Sequence, residues 1–116
     1  MPKVTLNVKF TFAASHFLTE YHGKCENLHG HNYTLIVSII GPVKKDGMVI
    51  DYKEIKKIVN GKVVEKLDHS HLNDTIKNPS SENIAVWIWN HLKNDLPLKK
   101  IKLYETDNYY CEYEGK

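Results

Sequence analysis

The sequence predicts an α+β domain, an antiparallel four-stranded sheet with two helices on one face. Three observations predict it. Val4, Leu6, Val8, Phe10 and Phe12 alternate with Thr5, Asn7, Lys9 and Thr11, the period of two that marks a strand with one buried face. Two later segments space their apolar residues three or four apart, as amphipathic helices do. Apolar runs lie before and after that helical pair, so the order is two strands, two helices, two strands, which places both helices on one side of the sheet.

If the first strand continues without a bulge, Ala14 and His16 share its apolar face. Residues 17–28 read as a loop, with Gly23 and Asn27 as turn formers. Residues 31–40 form a second strand, expected to pair antiparallel with the first. Gly41-Pro42 and Lys45-Asp46-Gly47 then lead into a short strand around Met48–Ile50. Asp51 followed by Glu54 resembles a capping box for a helix over 52–67, carried by Ile55, Ile58, Val59, Val63 and Leu67, with Gly61 as its weak point. Residues 67–74 are polar and irregular. Ser80 or Ser81 caps a second helix with Ile84, Ile88 and Leu92 on one face, ending before Pro97. Residues 101–105 and 109–113 close the domain as a hairpin.

The 116 residues make a single domain, 1–116, with room for one core but not for a deep enclosed pocket. A site built between subunits is therefore expected. The net charge is +2, and the lysines are scattered rather than gathered in a stripe, which argues against nucleic acid as a partner. All 16 basic residues are lysine, so phosphate would be held without a guanidinium fork. No apolar run approaches the ~20 residues that span a bilayer, so no membrane association is expected. The N-terminal residues alternate and do not read as a secretory signal, which makes the cytoplasm the expected location. Cys25 and Cys111 are far apart and read as free thiols.

The chemistry concentrates in Cys25-Glu-Asn-Leu-His29-Gly-His31. His29 and His31 are two apart, so on a strand both rings project from one face, and His16 at the end of the neighbouring strand can supply a third nitrogen. Three imidazoles without a fourth protein ligand are how a catalytic zinc keeps an open position. A cupin would need a Glu three or four residues after the second His, where Leu35 and Ile36 stand. The His-x-His-x-Asp-His pattern of metallo-hydrolases fails at Tyr33 and Thr34. Cys25, near a cation, becomes a candidate base or nucleophile rather than an inert thiol, because the thiolate is the reactive form. Asp68-His69 is an adjacent acid and imidazole, either a turn staple or a proton-transfer pair. Glu105 extends the apolar face of Ile101 and Leu103, so it is either a solvated strand end or a ligand anchor. Cys111 reads as packing, and His22, His71 and His91 as surface or structural residues.

Together these residues resemble the 6-pyruvoyl-tetrahydropterin synthase family, including its 6-carboxytetrahydropterin synthase branch. The likeness runs through Phe-Ala-Ala-Ser-His16, Cys25-Glu-Asn-Leu-His29-Gly-His31-Asn-Tyr, Gly47-Met-Val-Ile-Asp51-Tyr, Leu67-Asp68-His69, Pro79-Ser-Ser-Glu82-Asn and Glu105-Thr106. It implies that His16, His29 and His31 bind zinc, that Cys25 is the catalytic base, that Asp68 and His69 relay protons, and that Glu105 anchors a pterin ring. It also implies the tunnelling fold, in which trimeric rings stack into a homohexamer with sites between subunits. The implied reaction converts 7,8-dihydroneopterin triphosphate to 6-pyruvoyl- or 6-carboxy-tetrahydropterin with release of triphosphate. The short Cys-x-x-x-His-Gly-His spacing resembles the branch that serves deazapurine (queuosine or archaeosine) synthesis. Glu26 also creates Glu-x-x-His-Gly-His, which resembles a branch that trims the side chain to 6-hydroxymethyl-dihydropterin for folate. Lys24, beside the thiol, is either a phosphate contact or a solvated lysine. A non-catalytic pterin- or purine-binding module and a structural zinc protein are the readings from other classes.

Overall fold

Strand β1 (Lys3–His16) runs for 14 residues and pairs antiparallel with β2 (His29–Pro42) along its whole length, from Lys3 opposite Pro42 to His16 opposite His29. This computed structural model describes residues 1–23 and 26–116. The alternation expected of β1 holds to its end: Val8, Phe10, Phe12, Ala14 and His16 are buried, whereas Asn7, Lys9 and Thr11 are exposed. No bulge interrupts this pair, so the side-chain period of two carries the phase from the core to His16.

The sheet differs from the expected one. It has five strands in the order β3-β1-β2-β4-β5, and it is mixed. The added strand, β3 (Ser70–His71), runs parallel to β1, with Ala14 opposite Ser70 and Ser15 opposite His71. Its cause is local. The Ala13 amide donates to Asp68 Oδ1 at 2.9 Å and the His69 amide donates to the Ala13 carbonyl at 2.6 Å, which draws the polar segment against the edge of β1. On the other side, β4 (Leu98–Tyr104) pairs antiparallel with β2, with a register shift at Ser38/Ile39, and β5 (Tyr110–Tyr113) pairs antiparallel with β4. The expected strand around Met48–Ile50 is not formed. Hydrogen bonds from Gly47 N to Lys44 O and from Lys44 N to Met48 O close a turn there instead, leaving Val49 buried as a plug.

The first helical segment starts at Asp51, whose carboxylate accepts from the Lys53 amide at 2.9 Å. Helix α1 (Tyr52–Val59), a π-helical turn (Asn60–Val64) and α2 (Glu65–Leu67) follow without a gap, and the π turn contains Gly61, the weak point read from sequence. Ile55, Val59, Val63 and Leu67 are fully buried along one stripe, each contributing ~1.5–3 kcal/mol by leaving water. Helix α3 (Ser81–Leu92) is capped by Ser80, whose hydroxyl accepts from the Asn83 amide at 3.1 Å, and buries Ile84, Ala85, Ile88 and Leu92. These helices and the inward faces of β1, β2 and β4 share one core. Both helices cover the face that carries His16, and the opposite face, with Lys9, Thr11, Asn32 and Thr34, is polar. Among the described residues no helix is long and apolar enough to cross a membrane.

Candidate metal centre

Strand pairing assembles the histidines. His16 faces His29 directly across the β1–β2 ladder, and His31 lies opposite Ala14, whose methyl leaves room for an imidazole. The three ring centroids lie 4.6, 5.2 and 4.8 Å apart. A backbone carbonyl fixes the tautomer of two of them. His16 Nδ1 is 2.7 Å from the Pro79 oxygen and His29 Nδ1 is 2.9 Å from the Asn27 oxygen. A carbonyl only accepts, so in each neutral ring Nδ1 carries the proton and Nε2 is a bare lone pair. Those two Nε2 atoms stand 3.1 Å apart. Two acceptors at that distance repel unless a cation lies between them.

The third ring points the same way. His31 Nε2 is buried without a hydrogen-bond partner, although Glu105 Oε1 is 3.2 Å away. Burial is the largest influence on His31 and lowers its pKa, outweighing the Glu105 carboxylate that raises it, so the neutral form that binds metals is favoured. One atom each from His16, His29, His31 and Glu105 lie within 4.8 Å of one another, a donor set that could hold a metal ion. Three imidazoles and a carboxylate suit zinc or another borderline divalent ion better than calcium or magnesium, which prefer all-oxygen sites.

Glu105 follows β4 directly and continues its register opposite Tyr33. Its amide donates to the Tyr109 carbonyl at 3.0 Å, and the Thr106 hydroxyl accepts from the Asn108 and Tyr109 amides, so the tight turn to β5 holds the backbone. Ser81 Oγ, at the first residue of α3, donates to Glu105 Oε2 at 2.5 Å. Tyr33 forms the floor. It is fully buried, stacks on Phe12 at 5.0 Å, and presents its ring edge-on to His16 and His31. Its hydroxyl has no partner, and burial, with Glu105 and Glu26 nearby, holds it far above the ordinary tyrosine pKa.

The Asp68–His69 pair is formed, with His69 Nδ1 3.2 Å from Asp68 Oδ2, but it is not part of this cluster. Asp68 is tied to Ala13, on the opposite sheet face from His16, and the His69 side chain is 83% exposed on a left-handed backbone with φ 57°. It borders an open cleft of about 580 Å³ with Ser15, Asn32, Ser70 and His71. Glu26 is close to the histidines. Its Oε1 accepts from the Leu18 amide at 3.1 Å and lies 3.9 Å from His29 Nδ1. Lys24 and Cys25 lie outside the described residues. Cys111 packs against the core as expected, and burial pushes its thiol up to about 11.

Sequence reasoning gave no role to Tyr33 or Ser81, nor to the Pro79 and Asn27 carbonyls. Tyr33 carried a signal, since it completes the His31-Asn-Tyr segment on the same face as the histidines. Backbone acceptors carry none.

The description 6-pyruvoyl tetrahydropterin synthase belongs to the family model that matches residues 5–116. A putative 6-carboxy-5,6,7,8-tetrahydropterin synthase of Archaeoglobus fulgidus is 37% identical over 111 residues, covering 95% of each chain. A dihydroneopterin monophosphate aldolase of Pyrococcus furiosus is 43% identical over 93 residues, covering 77% of this chain and 80% of that protein. Among solved structures, the 6-pyruvoyl tetrahydropterin synthase of Caenorhabditis elegans superposes with a TM-score of 0.88 at 30% identity, over 100% of this chain and 98% of that one.

Proposed function

The chain belongs to the 6-pyruvoyl tetrahydropterin synthase family, and on that premise we propose that it is a zinc-dependent carbon–oxygen lyase. In this reading it acts on 7,8-dihydroneopterin triphosphate, releases triphosphate, and yields 6-pyruvoyl- or 6-carboxy-tetrahydropterin. One observation carries the reading: on this family's fold, the bare Nε2 atoms of His16 and His29 face each other at 3.1 Å beside the unpartnered His31 Nε2. His16, His29 and His31 would hold the zinc, which when bound supplies Lewis acidity to side-chain oxygens and so acidifies the adjacent C–H bonds.

The remaining work falls to the chain's own groups. Cys25 takes the role of base, as a thiolate near a cation can at neutral pH. The C–O bond to triphosphate breaks with its electron pair leaving on the phosphate oxygen. Glu105 anchors the amino-pyrimidinone edge of the pterin, whose paired N–H groups match a carboxylate as a guanidinium does. Asp68 and His69, remote from the donor cluster of their own chain, serve the site of a neighbouring subunit in a homohexamer and move the second proton.

A second reading has support of its own. A relative 43% identical is a dihydroneopterin monophosphate aldolase, and Glu26 stands 3.9 Å from His29 Nδ1. In that reading Glu26 assists cleavage of the side chain to give 6-hydroxymethyl-dihydropterin. Mass spectrometry of products, after zinc-loaded protein has met dihydroneopterin as triphosphate and as monophosphate, separates the two. A tetrahydropterin with free triphosphate supports the lyase. Hydroxymethylpterin lost in Glu26→Ala supports cleavage, and unchanged substrate leaves a pterin-binding module.

A further inference from the structure

We propose that Glu105 is the fourth protein ligand of the resting metal ion, and that the N–H edge of a bound pterin draws it away. The inference rests on the metal centre of the proposed function and adds a second task to the pterin anchor. Around a tetrahedral ion with bonds of ~2.0–2.1 Å, neighbouring donor atoms stand ~3.3–3.4 Å apart. The His16–His29 pair is 3.1 Å apart and the His31–Glu105 pair 3.2 Å, close to two opposite edges of such a tetrahedron. Neither pair works as a hydrogen bond. The first joins two lone pairs, and the second lacks the geometry, since His31 Nε2 is without a partner. Glu105 Oε1 thus occupies the place of a fourth ligand.

A filled tetrahedron is a closed site, and a substrate needs an open position. The tether on Glu105 resolves this. Ser81 Oγ holds Oε2 at the N-terminus of α3, where the helix dipole favours a carboxylate, while the turn to β5 holds the backbone. Side-chain rotation alone therefore moves Oε1 off the centre. Two parallel N–H donors offer the carboxylate a bidentate partner, so recognition of the ring, rather than of its side chain, vacates the coordination position. A sugar-like tail without the ring meets a closed site.

Cobalt(II) in place of zinc reports coordination through its visible absorbance, which is intense for four-coordinate tetrahedral ions and weak when water expands the shell. Unsubstituted pterin is the probe, because it has the N–H edge but no side chain to coordinate. The cobalt-loaded wild type is expected to show the intense bands, and pterin to change them. Glu105→Gln, nearly isosteric, and Glu105→Ala are expected to start with altered bands that pterin leaves alone. Chelator competition should find metal bound ~10-fold or more weakly in Glu105→Ala, the scale seen when groups around a metal site are removed. Coincident spectra of wild type, Glu105→Gln and Glu105→Ala would overturn the inference, as would a wild-type spectrum indifferent to pterin. Failure to bind cobalt at all would overturn the metal centre and the lyase reading with it. A responsive spectrum without triphosphate release would remove the lyase reading and leave this one standing.

Discussion

The two ends of the β1–β2 neighbourhood differ in how complete they are. On the helix-covered face, one chain brings His16, His29, His31 and Glu105 within 4.8 Å of one another and orients two of the rings through backbone carbonyls. On the polar face and its edge, Asp68 and His69 pair, yet His69 stands 83% exposed above an open cleft and meets no partner from the metal cluster. The first is a finished donor set and the second is half of something. Strand register explains the contrast. A ladder without bulges specifies every side chain on a face, whereas an edge segment is specified only by what comes to cover it.

The sharpest break in that comparison is chemical. Cys25→Ala should leave metal content unchanged while turnover falls by ~10²–10⁴, the usual loss on removing a general base. Triphosphate release and metal analysis on one preparation check it; retained turnover would take the thiol out of the mechanism. His69→Ala should lose ~10² in turnover, again with metal retained. The comparison adds a stricter expectation. Mixing unfolded His69→Ala and Cys25→Ala chains and refolding them together should restore partial activity, since each supplies what the other lacks across an interface. No recovery would place His69 at its own chain's centre or outside the reaction.

A smaller effect separates floor from ligands. Tyr33→Phe removes a buried hydroxyl that has no partner, so thermal unfolding of the metal-free protein should be unchanged or slightly raised, by up to ~1 kcal/mol. A clear loss of stability would mean that the hydroxyl is bonded. Smallest of all is a pH effect. His31 has a pKa below its unfolded value near ~6.5, so between the two values the unfolded chain binds more protons. Stability of the metal-free protein should therefore be fully present above that range and fall as pH drops through it, with the slope lost in His31→Gln.

Much of this was legible before any coordinates. Five alternating residues in β1 set the phase that puts His16 opposite His29, and Gly61 marked where the helix turns π. Ser80 and Asp51 were readable as caps because a side-chain oxygen before an apolar period has few other uses there. What escaped was short or made of backbone. Two residues of β3 cannot display a period, and their pairing depends on Asp68 reaching the Ala13 amide. Met48–Ile50 looks extended by composition, but Val49 is buried by a turn. The nearness of Glu105 to His31 needed a turn, a strand register and Ser81 together, which no linear spacing expresses.

The most direct measurement pairs wild type with His31→Ala, following zinc content and triphosphate release from 7,8-dihydroneopterin triphosphate in the same samples. The account predicts that wild type holds one zinc per chain and releases triphosphate over many turnovers, and that the variant loses both together. Release of triphosphate by zinc-free His31→Ala at the wild-type rate would contradict it.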